Sequence, residues 1–361
     1  SIGNFTHLER LKIGSTCSPL REIPESLGRL KALTHLTIRG HSLKRLPESF
    51  GDLKSLEHLI VRSESLTCLP DSFGNLQGLK KLHLECESLE ALPGSFGDLE
   101  NLEWLRIRGS KIEALPESFG SLTSLKELTI EDRPLKELPN SFGNLKSLRE
   151  LKINGTALKS LPESFANLSA LEEASLTGNQ LEKLPDNIGN LQNLTYLNLG
   201  GNVLMELPIS LWNLLTLKRL KLTNNKFNKL PEELGNLKTL EKIMLSGNQL
   251  RYLPDSISNL SYVREIVISN NELTTLPSSI TRLKSLEELW LRENFLQDLP
   301  KNIGNLESLR ILDLRKNPIQ KLPKSVMDLR SISKIYLNDS NITSTEISRL
   351  KKALGDYRVE V

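Results

Sequence analysis

Three imidazoles fall at spacings that could bring them together. His35 and His58 lie 23 residues apart, and His83 follows 25 residues later with Glu85 close by. Imidazole nitrogens and a carboxylate are Zn²⁺ ligands, so the spacing permits a metal site. The same trio would also make a titratable face that gains positive charge below about pH 6.5. We read it as that face, because a metal site needs a tight tetrahedral set held by further hydrogen bonds. No cofactor is expected. The sequence has no phosphate loop, H-E-x-x-H, G-x-S-x-G or paired-cysteine motif, so nothing points to nucleophilic or acid-base catalysis and the expectation is a non-enzyme.

Around the histidines stand Arg39, Arg62, Trp104, Arg106 and Arg108. Such a basic and aromatic surface suits an acidic partner. A second group, Met244, Val267, Trp290, Ile311 and Tyr336, is an apolar run flanked by Arg292 and Arg315. Exposed Trp, Tyr and Arg together form the composition of interface hot spots. Side chains of this kind also serve simply to shield a sheet, and the sequence leaves both readings open.

These residues are brought into columns by a strict repeat. Fourteen prolines stand 23 residues apart from Pro24 to Pro323, each after Leu or Ile. Leu240, Ile243, Leu245, Asn248, Leu250 and Leu253 before Pro254 spell L-x-x-L-x-L-x-x-N-x-L, the leucine-rich-repeat signature. Within it Ile243 and Leu245 should point inward, and Lys242, Met244 and Ser246 outward, as in a strand. The segment after each proline, such as 139–145, should form a short helical or 3₁₀ turn, with the proline suiting a first helical position and Gly143 interrupting any longer helix. Phe142, Leu145 and Leu148 should then close the back of the core.

The repeats are of two kinds. The Asn slot holds Thr16, His41, Glu64, Glu87, Ser110, Arg133 and Thr156 in the first seven, and Asn from Asn179 to Asn317 in the next seven. A buried Asn can satisfy backbone groups of adjacent turns, so the first seven must satisfy theirs differently. Three residues after the proline, Phe50 to Phe165 give way to Ile188, Leu211 and other aliphatic residues. A stack of rings thickens one wall, which predicts a change of curvature near residues 165 to 185, with Ala174 at the seam. Two rounds of duplication without mechanical consequence would leave the same trace. We read a single repeat domain over 1–361: a truncated first repeat (1–24), Phe-type repeats (25–170), Asn-ladder repeats (171–343) and a C-terminal cap (344–361).

The net charge of +3 argues against a dedicated nucleic-acid binder. No apolar stretch is long enough to span a membrane. Cys17, Cys68 and Cys86 fall at different repeat positions, which gives unpaired thiols and no disulfide-stapled cap. The chain opens inside a repeat at Ser1, so the natural protein is expected to extend further N-terminally. At the other end, 344–355 reads as an N-capped amphipathic helix with Ile347, Leu350 and Leu354 inward, followed by a last strand over 356–361.

With these residues in view, the chain resembles leucine-rich-repeat proteins of the 23-residue class, in which Leu-Pro-x-x-(Ile/Phe)-Gly-x-Leu follows the strand. It is similar to bacterial members from leptospiral spirochaetes, and in its Asn-bearing half to Ras-pathway scaffolds. The resemblance implies an α/β solenoid, a right-handed leucine-rich-repeat horseshoe with a parallel concave sheet of about 15 strands and short 3₁₀ or α turns on the convex side. It also implies a protein-binding module of a secreted or surface bacterial virulence protein that engages host factors. The expected partner is a protein, with no nucleic acid, no membrane insertion and no small-molecule substrate. Alternatives are the substrate-recognition part of a ubiquitin-ligase effector and a cytoplasmic signalling scaffold. The empty Asn slots before residue 179 and the missing N-terminal cap depart from the family pattern.

Overall fold

The computed structural model describes residues 2–15, 20–131 and 134–361. The expected unpaired Cys17, and Thr16 and Arg133 at the Asn slot, lie outside the described residues. The chain groups into two compact units, Ser1–Asn193 and Leu194–Val361. Both are right-handed leucine-rich-repeat solenoids, in which a short parallel strand alternates with a 3₁₀ turn.

Unit 1 carries β1 (Arg10–Ile13), β2 (His35–Arg39), β3 (His58–Ser63), β4 (Lys81–Cys86), β5 (Trp104–Arg108), β6 (Glu127–Glu131), β7 (Glu150–Ile153) and β8 (Glu173–Ser175). Unit 2 carries β9 (Tyr196–Asn198), β10 (Arg219–Lys221), β11 (Lys242–Met244), β12 (Glu265–Val267), β13 (Glu288–Trp290), β14 (Ile311–Asp313), β15 (Lys334–Tyr336) and β16 (Val359–Glu360). Within each unit successive strands pair in parallel and in register with the repeat. The alternation is as the motif dictates: Ile243 and Leu245 are buried, while Lys242, Met244 and Ser246 stay half-buried on the open face.

The turns after the prolines are 3₁₀, and the proline precedes the turn as an extended cap instead of occupying the first helical position, except after Pro185 and Pro300, where Asn187 and Asn302 cap shorter turns. Pro47, at φ −70° and ψ 154°, precedes Glu48–Asp52. The glycine in the turn has a different role from the one its sequence suggests. A Cβ on Gly51 would lie 2.2 Å from the Ser72 carbonyl oxygen, so glycine lets the next turn pack directly against it. Across that contact Ser72 Oγ donates to the Glu48 carbonyl at 2.6 Å.

Behind these turns the rings from Phe50 to Phe165 are fully buried and stacked, with centroids 6.0 to 6.2 Å apart and nearly parallel planes. Strands pack about 4.8 Å apart. Within unit 1 the ring side is therefore splayed wider than the sheet side.

Strand length follows the Asn slot. In unit 2 each Asn ends the strand by binding the backbone: Asn248 Nδ2 donates to the carbonyls of Leu222 and Leu245 at 3.0 and 2.8 Å, and its Oδ1 accepts from Phe227 N at 3.1 Å. Strands β10 to β15 span only three residues. Where unit 1 lacks the Asn, pairing runs on, and β3 and β4 reach six residues. Side chains close by then take over. Ser63 Oγ donates to the Leu43 carbonyl and accepts from the amides of Ser65 and Leu66, and Thr156 is tied to Asn179 through its amide and its hydroxyl.

The C-terminal helix α1 (Ser344–Leu354) is capped by Thr343, whose hydroxyl accepts from Glu346 N at 3.3 Å. Leu350 and Leu354 are buried and Ile347 half-buried. The Glu346 carboxylate accepts from Leu322 N and pairs with Arg349, which holds it below the usual carboxylate range. The expected strand over 356–361 is mostly a 3₁₀ turn at Asp356–Arg358, and only Val359–Glu360 pairs with β15. Gly355, at φ 102°, turns the chain there. Cys68 is an exposed free thiol, and the buried Cys86 donates its Sγ–H to the Val61 carbonyl at 3.7 Å.

Candidate functional site

On the open face of the unit 1 sheet the parallel register lines up His35, His58, Lys81 and Trp104 across β2 to β5. His83 stands one column over, between Ile60 and Arg106. The third column runs Arg39, Arg62, Glu85, Arg108 and Glu131. The residues of the first predicted group thus share one face. The imidazoles of His35 and His58 lie 4.4 Å apart at 50°, while His83 meets the Trp104 ring edge-on at 6.2 Å. They form no metal cluster: among the described residues no group of three or more His, Cys, Asp or Glu is placed to hold an ion. His58, Ile60, Lys81, His83 and Trp104 instead line a shallow hollow of about 270 Å³.

The electrostatics of this face are unfinished. Glu85 Oε2 lies 2.9 Å from Arg62 Nε, and Glu131 takes Arg106 Nη2 at 3.0 Å with Arg108 Nε 3.8 Å away. Arg39 has no ion pair among the described residues. Two guanidinium donors, Arg39 Nε and Arg106 Nε, are buried without a hydrogen-bond acceptor, and the ring nitrogen His83 Nε2 is buried without a partner. Such groups forfeit hydration for nothing unless a ligand supplies acceptors.

Burial first, then His35 and Lys81, pushes His58 below its ordinary pKa of 6.5. Burial first, then Arg106 and Arg62, does the same to His83. Between the lowered folded values and the unfolded value the unfolded chain holds more protons. Stability is therefore full above about pH 6.5 and falls as pH drops from there through the folded values. Replacing both residues, His58→Asn with His83→Gln, should flatten that acid-side loss in a pH series of urea midpoints. An unchanged slope would count against the assignment.

In unit 2, Met244, Val267, Trp290, Asp313 and Tyr336 form one column across β11 to β15. Ile311 belongs to the neighbouring column, between Glu288 and Lys334, so it flanks the aromatic run and does not join it. Sequence reasoning missed the clamp at the centre. Asp313 is 1% exposed and is gripped by Arg315, with Nη2–Oδ2 at 2.6 Å and Nε–Oδ1 at 2.9 Å. Trp290 and Tyr336, on either side of this short side chain, stack on each other at 6.3 Å although their strands are not adjacent. Arg315 lies over the Tyr336 ring at 4.9 Å, and Trp290 Nε1 donates to Glu288 Oε2 at 2.9 Å. An Asp in an otherwise apolar column, with an Arg two residues on, was the available signal. Arg292 pairs with Glu293 at 3.1 Å, and its Nε has no acceptor. The Arg219 guanidinium, which lies over the Tyr196 ring at 4.4 Å, was also missed as a pair.

A leucine-rich repeat region model matches residues 1–90, 79–173, 124–204 and 209–295, and a leucine rich repeat model matches 284–342. The chain belongs to the leucine-rich-repeat family, with a bacterial type of repeat. It is similar to the leucine-rich-repeat protein LIC12759 of Leptospira interrogans, at 32% identity and TM-score 0.87, covering 100% of this chain and 91% of that one. The plant peptide hormone receptor RGFR1, solved in complex with RGF2, matches at 25% identity and TM-score 0.59, over 94% of this chain and 64% of the receptor. An internalin of Listeria monocytogenes, inlF, shares the fold at 22% identity and TM-score 0.66, over 80% and 82% of the two chains. No curated protein sequence is similar to the chain. Among the described residues no helix is long and apolar enough to cross a membrane.

Proposed function

We propose that this chain is a protein-binding module that holds a protein partner against its concave sheet face, as part of a secreted or surface bacterial protein engaging host factors. The observation that supports this reading best is the pair of buried guanidinium donors without acceptors, Arg39 Nε and Arg106 Nε, on the open face of unit 1 beside the half-buried Trp104. A carboxylate-rich surface would supply the acceptors, and the surplus of basic groups there would draw it in. The Trp290–Tyr336 pair is a second anchor, already held in place by Glu288 and Arg315, so little side-chain entropy is lost when a partner covers it. RGFR1, with its ligand RGF2, is a precedent for a repeat of this kind in complex with a peptide. The secreted or surface location rests on the resemblance to bacterial repeat proteins.

The partner is to be captured with the wild-type chain and its affinity remeasured with Trp104→Ala/Arg106→Ala and Trp290→Ala/Tyr336→Ala. At least one double variant should weaken binding about tenfold or more, as hot-spot truncation does. A partner that binds both variants with undiminished affinity would show that the concave face is not the binding surface.

A further inference from the structure

A repeat protein supplies its own reference, because each position can be compared with its equivalents in thirteen other repeats. One repeat in unit 2 stands apart. Met205, Ile209 and Leu215 occupy slots in which no other repeat carries a large apolar residue; the slots otherwise hold charged or polar residues and once Gly94. In the second repeat the equivalents are Lys44, Glu48 and Lys54. The three apolar side chains are 63%, 70% and 57% exposed. They sit in and beside the 3₁₀ turn Ile209–Asn213, on the side of the repeat away from the sheet.

The same repeat breaks a second rule. Trp212 stands where nine of the fourteen repeats have Gly. At that slot a Cβ on Gly51 or Gly74 would lie within 2.2 Å of the next turn's backbone. The serine that the next turn usually presents is replaced by Glu233. Beside the buried Trp212 and Phe227, Met205 and Ile209 edge a hollow of about 320 Å³, whose rim carries Glu206, Glu233 and Lys229.

We propose that this patch is a self-association surface, on which a second copy of the chain docks about a two-fold axis. A two-fold contact presents the same surface from both sides, so it must be self-complementary. Protruding apolar side chains and an apolar hollow on one patch meet that requirement, since Ile209 of each copy can enter the hollow of the other. The rim meets it too: with both signs of charge present, a two-fold can set Lys229 of one copy against Glu206 or Glu233 of the other. Three exposed apolar side chains within one repeat are otherwise a solubility cost. The contact leaves the sheet face of each copy open, so the dimer would carry two identical binding faces and gain avidity for a partner displayed in many copies. This proposal goes beyond the protein-binding reading and does not depend on it.

The test is sedimentation equilibrium of the full chain over the micromolar to high-micromolar range. It is run on wild type and on Met205→Lys/Ile209→Glu/Leu215→Lys, which restores the residue types of the second repeat. Wild type should approach twice the chain mass as concentration rises, and the triple variant should need at least about tenfold more protein to do so. Far-UV circular dichroism checks its fold. Should it be perturbed, Ile209→Glu alone, at the most exposed of the three positions, carries the same reading. A wild-type chain that stays monomeric throughout overturns the proposal, and so does a dimer that persists unchanged in the variants.

Discussion

Asn294→Ala should lower the stability of this protein by about 3 to 5 kcal/mol, read as a fall in the denaturant midpoint. The side chain is buried: Nδ2 donates to the carbonyls of Ile268 and Leu291, both at 2.9 Å, which also accept from Asn271 and Asn317, and Oδ1 accepts from Leu273 N at 3.1 Å. Alanine leaves the Leu273 amide buried and unpaired, at about 1 to 3 kcal/mol, and takes one of two donors from each carbonyl, at about 0.5 to 1.5 kcal/mol for each bond lost. Asn294→Asp should be at least as damaging, because a second oxygen would then face two carbonyl oxygens. At the equivalent slot in unit 1, Glu64 is exposed, and Glu64→Ala should change stability by no more than about 0.5 kcal/mol. Equal effects at the two positions would mean that the Asn ladder is not what sustains unit 2.

The second large effect is expected at Phe119. Its ring is fully buried and lies between Phe96 at 6.1 Å and Phe142 at 6.2 Å, with planes tilted by only 3°. Phe119→Ala should cost about 3 to 5 kcal/mol, from lost transfer energy and from a cavity that the stacked neighbours cannot collapse into. Phe119→Leu should cost clearly less, since Leu211 and Leu234 fill the same slot, fully buried, in unit 2. Because each repeat is supported by its neighbours, the damage should spread from the site. Hydrogen exchange should show protection lost first in β5, β6 and β7. If leucine proves as harmful as alanine, ring stacking and not filled volume governs the slot.

Much of the architecture was legible because a repeat writes its geometry in its spacing. The L-x-L alternation gave the inward and outward faces, and the 23-residue period gave the columns that bring His35 beside His58 and Trp290 into line with Tyr336. The change from Phe to aliphatic residues, and from mixed residues to Asn, marked two packing regimes, and the observed strand lengths follow the second of these. Less legible was whatever depends on how one turn meets the next. Pro47 read as a first helical residue and is a cap. Gly51 read as a helix interrupter and is a point of close backbone approach. Residues 356–361 alternate like a strand, yet Gly355 bends the chain and a 3₁₀ turn takes half of them. The Ile311 side chain was grouped with the apolar run of Met244, Val267, Trp290 and Tyr336, whereas the register sets it one column over, beside Glu288 and Lys334.

By itself, the amino-acid order determined the fold, the columns on which the candidate binding residues stand and the Asn ladder, since each is a matter of residue type at a fixed interval along the chain. Only the tertiary structure decided which charges are satisfied: Asp313 is neutralised by Arg315, Glu85 and Glu131 offset part of the basic face, and Arg39 and Arg106 each keep a buried Nε without an acceptor. It also set the His35 and His58 rings side by side and His83 against Trp104, and it placed Trp212 beside a hollow edged by the exposed Met205 and Ile209. The physical reason is that hydrogen bonds and ion pairs are set within a few tenths of an ångström by side-chain directions in different repeats, and a one-dimensional period places residues without fixing those directions.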